Sequence, residues 1–112
     1  MELITEKQGE VVVFKLKGRL DALTAPEFEE KCQRWLDDGE SWFAVDLGEL
    51  EYISSAGIRS ILFIAKKLKA QEGALGFSRI SGMVKKVFTI AGIYSIFPIY
   101  ASLEEALSQL KP

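Results

Sequence analysis

The stretch "EYISSAGIRSILFIAKKLKA", residues 51–70, changes its periodicity part-way along. Ile58, Ile61, Leu62, Ala65 and Leu68 recur at helical spacing, and Gly73 follows as a stop. Upstream, "SWFAVDLGEL" alternates: Phe43, Val45 and Leu47 share one face, and Trp42, Ala44 and Asp46 share the other. The junction is therefore a strand handing over to a helix, with Ser54, Ser55, Ala56 and Gly57 between them. Ser54 or Ser55 is the expected N-cap. Phe63 and Ile64 widen the helix's apolar face, which fits either core packing or a partner surface.

Working outward gives the rest of the order. "ELITEKQGEVVVFKLKGRL" reads as two strands around a turn at Gln8-Gly9, the second broken by Gly18. "DALTAPEFEEKCQRWLDDGE" reads as a helix ending at Gly39. Thr24 and Glu27 are spaced as a capping box, Pro26 stands in the first turn, and Phe28, Cys32, Trp35 and Leu36 face inward. "GALGFSRI" is a short strand. "SGMVKKVFTIAGI" is a helix capped by Ser81, with Val84, Val87, Phe88 and Ala91 inward and Gly92 beyond its end. "IFPIYA" is an edge strand by its Pro98, and "SLEEALSQL" is a last helix with a Ser102/Glu105 capping box. The predicted order is ββαβαβαβα: an α/β mixed sheet with parallel βαβ units and about four helices. Ligands and partners of such sheets gather where strands hand over to helices. Asp21 and the Ser54-Ser55 junction both stand at such points.

Composition limits the chemistry. A chain of 112 residues, 48% hydrophobic and 27% charged, suits one globular domain spanning residues 1–112. A net charge of −2 predicts no broad attraction to nucleic acid or anionic membrane, and the short lysine blocks read as solvated helix faces. The single cysteine, Cys32, permits no internal disulfide and suits the cytoplasm. The N-terminal residues lack the pattern of a signal peptide, and no apolar run reaches membrane-spanning length. Histidine and asparagine are both absent, which excludes a Ser-His-Asp triad, a Cys-His pair and histidine metal sites. Neither phosphate-loop nor dinucleotide fingerprint occurs. An enzyme, a cofactor and a metal are not expected.

The paired serines admit two readings. One of them caps the helix, worth roughly 0.5–2 kcal/mol. The other is a site for regulation: a phosphate here would meet the positive end of the helix dipole and free backbone N–H groups. Arg59, one turn after Ser55, is placed to reach such a phosphate. Asp21 is either helix N-terminal electrostatics near Thr24 or a partner contact. Asp46 reads as a strand-end turn hydrogen bond. Leu23, Tyr52 and Ile53 fit either core or rim.

Three segments, "LKGRLDALTAPEFE", "VDLGELEYISSAGIRSIL" and "VFTIAGIYSIFPIYASLEEAL", together resemble the STAS domain of bacterial anti-sigma factor antagonists. In that pattern Asp46-Leu47 opens the signature, Tyr52-Ile53 is its apolar pair, and Ser54-Ser55-Ala56-Gly57-Ile58 its core. The resemblance implies a protein that binds an anti-sigma serine kinase when unphosphorylated and so frees a sigma factor. It implies phosphorylation at Ser55, with Ser54 a second candidate, and reversal by a PP2C-type phosphatase. Asp21, Ser54, Ser55, Ala56, Gly57 and Arg59 are the expected partner-binding residues, Arg59 by its position and not by the resemblance. Such antagonists are usually monomers. Ser54 stands where the signature often has aspartate, and Ala56 where it often has serine or threonine. The alternative is an accessory STAS subunit of a lipid or anion transport complex, docking through Phe63, Ile64, Ile93, Tyr94 and Phe97. A small-ligand sensor is a third reading, for which no pocket motif is present.

Overall fold

The computed structural model describes all 112 residues. The chain runs β1 (Glu2–Gln8), β2 (Val11–Leu20), α1 (Ala25–Asp37), β3 (Trp42–Ile53), α2 (Ser55–Ala70), β4 (Ala74–Ser78), α3 (Gly82–Ile90), β5 (Ile99–Tyr100) and α4 (Leu103–Gln109). This is the expected order. The five strands form one sheet in sequence order; β1 runs antiparallel to β2 and every later pair is parallel.

That order fixes where the helices lie. Each crossover advances one strand in the same direction, so right-handed connections put α1, α2 and α3 on one face of the sheet. Phe14, Phe43, Val45 and Phe77 from the strands meet Phe28, Ile61, Ile64 and Phe88 from those helices in the main core. Phe14 and Phe43 pack with ring centroids 4.8 Å apart, and Phe77 meets Phe88 edge-on at 5.1 Å. The helix α4 covers the opposite face, where Ala106 and Leu110 pack on Val11 and Ala44. Because β2 is covered on both sides, Val11, Val12, Val13 and Phe14 are all buried, and the alternation that marks a half-buried strand begins only at Lys15.

Several local expectations change. Gly18 does not end β2: it has φ +97° and sits where the pairing with β3 shifts register, so it is a bulge within a strand that continues to Leu20. Gly73 is not the left-handed residue after α2; Glu72 takes that conformation with φ +60°. A side chain on Gly73 would collide with the Ser41 carbonyl, so a close approach to the start of β3 is what demands glycine there. Leu62 is 40% exposed while Ile64 is fully buried, and Ala91 is exposed. Ser81 precedes α3 without a side-chain capping bond. Ser102 does cap α4, accepting from the Glu105 N–H at 3.1 Å, as the spacing predicted. Pro98 immediately precedes the two-residue edge strand β5, and its carbonyl accepts from Phe77 N–H at 3.0 Å.

Asp46 makes its expected turn bond, accepting from Gly48 N–H at 2.9 Å. It also carries an ion pair that the sequence did not announce. Arg79, just past β4 and at φ +57°, reaches it with Nε to Oδ1 at 2.9 Å and Nη2 to Oδ2 at 3.0 Å. Asp46 is buried at the centre of the sheet and its partner is half exposed. This fork–fork bond ties β3 to the loop that opens α3. The Arg79→Ala variant is expected to lose about 1.5–3 kcal/mol, because a buried carboxylate then loses its charged partner. Arg79→Lys should recover only part of that, since a lysine cannot make the planar two-bond contact. Urea unfolding of the three proteins checks the order.

Candidate functional site

The ends of β2 and β3 are level: Leu20 pairs with Ile53. Each strand then turns into a helix, so the loop at Asp21 and the Ser54-Ser55 junction lie side by side. One backbone carbonyl joins them, with Ser54 N–H donating to Leu20 O at 3.0 Å. Gly57 sits directly beneath this joint. A Cβ there would stand 2.6 Å from Leu20 O and 2.8 Å from Ile53 Cγ1, so only glycine lets α2 start this close to the sheet. Gly57 is buried. It shapes the site from below and offers no surface to a partner.

The two serines have different environments. Ser54 is extended, with φ −99° and ψ 174°, and its Oγ accepts from Gly57 N–H at 3.3 Å. It is the N-cap. Ser55 is the first residue of α2, exposed, and its hydroxyl has no hydrogen-bond partner in the chain. The N–H groups of Ser55 and Ala56 precede the first intrahelical bond, which Ile58 N–H makes to Ser54 O at 2.9 Å, so they are open donors beside that hydroxyl. Ala56 is half-buried. Arg59 is exposed one turn further on and forms no ion pair.

The neighbouring loop is held by Asp21. Its Oδ1 accepts from Leu23 N–H at 3.0 Å and Thr24 N–H at 3.3 Å. Thr24 therefore does not cap α1 through its side chain; its Oγ1 donates to Arg19 O at 2.8 Å and accepts from Asp21 N–H at 2.9 Å. Desolvation pushes the Asp21 carboxyl up, but the hydrogen bonds from Leu23 and Thr24 and the charge of Arg19 outweigh it and hold it below its ordinary value. Arg19 was not foreseen. Its guanidinium lies 4.1 Å from the centroid of the Tyr52 ring and 3.6 Å from Asp21 Oδ2. The signal for it was the parallel pairing of strand ends, which sets Arg19 opposite Tyr52. Leu23 is 89% exposed at the tip of the loop, whereas Ile53 is buried in the core. Between α1 and α2 runs a groove of about 380 Å³, lined by Ala22, Pro26 and Glu29 on one side and Ala56, Arg59 and Phe63 on the other.

The arrangement presents Asp21, Ser54, Ser55, Ala56 and Arg59 together at one edge of the sheet. Ser55 Oγ has no acidic or basic hydrogen-bond partner within the chain, so no neighbouring group is placed to take its proton. Of the residues considered for docking on a transporter, Ile64 and Ile93 are buried in the main core, Tyr94 and Phe97 pack partly against it, and only Phe63 is exposed. Burial, with the charge of Glu29 nearby, pushes the Cys32 thiol up, as suits a packing residue.

The STAS domain model matches residues 2–106. The chain belongs to the STAS domain family, among the anti-sigma factor antagonists. A chain of Bordetella bronchiseptica named as an anti-sigma factor antagonist, BtrV, is 36% identical over 99% of this chain and 96% of its own. Among solved structures, a Thermotoga maritima protein bearing the same description superposes with a TM-score of 0.91 at 20% identity, covering 98% of this chain and 95% of its own. The Bacillus cell-fate determinant SpoIIAA in its phosphorylated form superposes with a TM-score of 0.80 at 23% identity, covering 98% and 100%. These two likenesses establish the fold. No helix of the STAS chain is long and apolar enough to cross a membrane.

Two outcomes follow from the site's geometry. Ser54→Ala should cost about 1 kcal/mol through the lost cap, while Ser55→Ala should leave the unfolding midpoint nearly unchanged, because its hydroxyl bonds to nothing. Asp21, with its folded pKa depressed, contributes stability above the usual carboxylate value near 3.8 and loses it as pH falls through the folded value. Acid unfolding of Asp21→Asn should accordingly lack that component, which side-chain carboxyl NMR of the parent would locate below 3.8.

Proposed function

We propose that this STAS protein is a phosphorylation-gated antagonist. In this reading unphosphorylated chain binds an anti-sigma serine kinase in the cytoplasm through the edge formed by Asp21, Ser54, Ser55, Ala56 and Arg59, and so frees a sigma factor. The kinase transfers the γ-phosphoryl group of ATP to Ser55 Oγ; the serine loses its proton and ADP leaves. A PP2C-type phosphatase returns the serine by hydrolysis. The chain acts as a monomer.

One observation carries the proposal: Ser55 is exposed with a free hydroxyl at an open helix N-terminus, while its neighbour Ser54 is committed to the cap. That contrast favours Ser55 over Ser54 as the acceptor. Phosphorylation of the cap would cost α2 its N-terminal bond, whereas at Ser55 it would cost the fold nothing. The new phosphate would face the Ser55 and Ala56 N–H groups and the positive end of α2, with Arg59 one turn away. The fold would tolerate a group carrying about −1.5 to −2 charge, and a partner pressed against the same edge would not. A penalty of about 2.8 kcal/mol is enough to weaken binding a hundredfold. The relatives named as anti-sigma factor antagonists support the partner class, and SpoIIAA is known in both unphosphorylated and phosphorylated forms.

Incubation with the candidate kinase and ATP should add one phosphate, seen by intact mass, and peptide mapping should find it on Ser55. Ser55→Ala should accept none and still bind the kinase within about threefold, while Ser55→Asp should bind at least tenfold more weakly. Phosphate incorporation into Ser55→Ala, or its failure to bind, would count against the proposal.

A further inference from the structure

The net charge of −2 hides a strong division along the chain. Residues 52–103 hold seven cationic side chains and a single carboxylate, Glu72, a balance of +6, leaving −8 for the remainder. The cationic part comprises α2, β4, α3 and β5, which are neighbours at one side of the sheet. Some of its cations are engaged: Arg79 holds Asp46, Lys67 reaches Gln33, and Lys85 lies 5.5 Å from the Tyr94 ring centroid. Lys66 and Lys69, on the exposed side of α2, have no hydrogen-bond or ion-pair partner.

Those two lysines flank an apolar groove. Its walls are Leu62 and Lys66 with Lys69 on α2, and Ile96, Phe97 and Pro98 on the segment before β5; it encloses about 460 Å³. Leu62 is 40% exposed and Ile96 62%, two large apolar side chains left beside free cations. The groove lies toward the far end of α2 from the phosphoswitch. Lys69 stands fourteen residues past Ser55, which is about 21 Å along a helix. That is more than two Debye lengths at physiological salt, where one length is about 8 Å.

We propose that this groove is a second docking surface, and that its occupant is an acidic amphipathic helix of a partner protein. The apolar ridge of such a helix fills the trough between Leu62 and Ile96, and its flanking carboxylates meet Lys66 and Lys69. A walled trough suits a helix ridge better than it suits a flat bilayer. The separation from Ser55 makes this docking independent of phosphorylation, so the chain holds one partner while it releases another.

The test uses the full chain and an 18-residue fluorescent helix with a leucine ridge and glutamate flanks. Fluorescence anisotropy should detect its binding below millimolar concentration, weakening as salt rises. Binding should fall at least tenfold in Lys66→Gln/Lys69→Gln and in Ile96→Ser, each checked for an unchanged circular-dichroism spectrum. Ser55→Asp should bind within twofold of the parent. Backbone NMR shifts should gather at Leu62, Lys66, Ile96 and Phe97. Absence of binding, equal binding of a lysine-flanked version of the helix, or displacement of the probe by anionic phosphatidylglycerol vesicles or by nucleic acid would overturn the proposal.

Discussion

The Leu20 carbonyl is the point on which the candidate edge depends. It ends β2, accepts the N–H of Ser54, and leaves no room for a side chain at Gly57. A helix that starts this close to a strand end must present its first turn at the sheet edge, beside the loop that follows that strand. Ser55 is therefore carried on two regular elements braced against each other. Rigid support of this kind suits a site where one added group must change an interface and leave the fold unchanged.

The sheet divides its labour between its faces. The side under α1, α2 and α3 holds the large aromatic core, and the side under α4 holds a smaller apolar cluster next to the Asp46–Arg79 pair. That pair locks the loop opening α3 without adding apolar bulk. Its bidentate geometry needs Arg79 in a left-handed backbone conformation and Gly48 without a side chain, so two local features serve one bond. At the edge, the same economy appears in Asp21. Its carboxylate does the capping that Thr24 leaves undone, and still keeps one oxygen near Arg19.

Much of this was legible in the sequence. Element order, the parallel units and the Ser54–Gly57 junction follow from periodicity and from glycine and proline placement, because those signals are local. The strand-to-helix handovers also pointed to one shared edge for Asp21 and Ser55, and helical spacing put Arg59 one turn beyond Ser55. What escaped reading depends on the third dimension. Gly18 looked like a strand end because a bulge and a break carry the same residue. Ile64 fitted either core or partner surface because its burial is set by how α2 rolls on β3 and β4, which the spacing alone leaves open. Arg79 and Arg19 act across strands, and only the register brings them to Asp46 and Tyr52. Thr24 looked like a side-chain cap, but its hydroxyl is taken up by Asp21 N–H and Arg19 O across the loop, which spacing along the helix does not reveal.

The central claim is that phosphate at Ser55 alters the edge and spares the fold. Backbone NMR spectra of the unmodified protein and of the protein carrying phosphate on Ser55 test it most directly. The account predicts shift changes confined to residues 19–24 and 54–60, with the Ser55 and Ala56 amides moving downfield as they bond to the phosphate. Shift changes spreading through β3, β4 and the main core would contradict it, as would amides at Ser55 and Ala56 that do not respond.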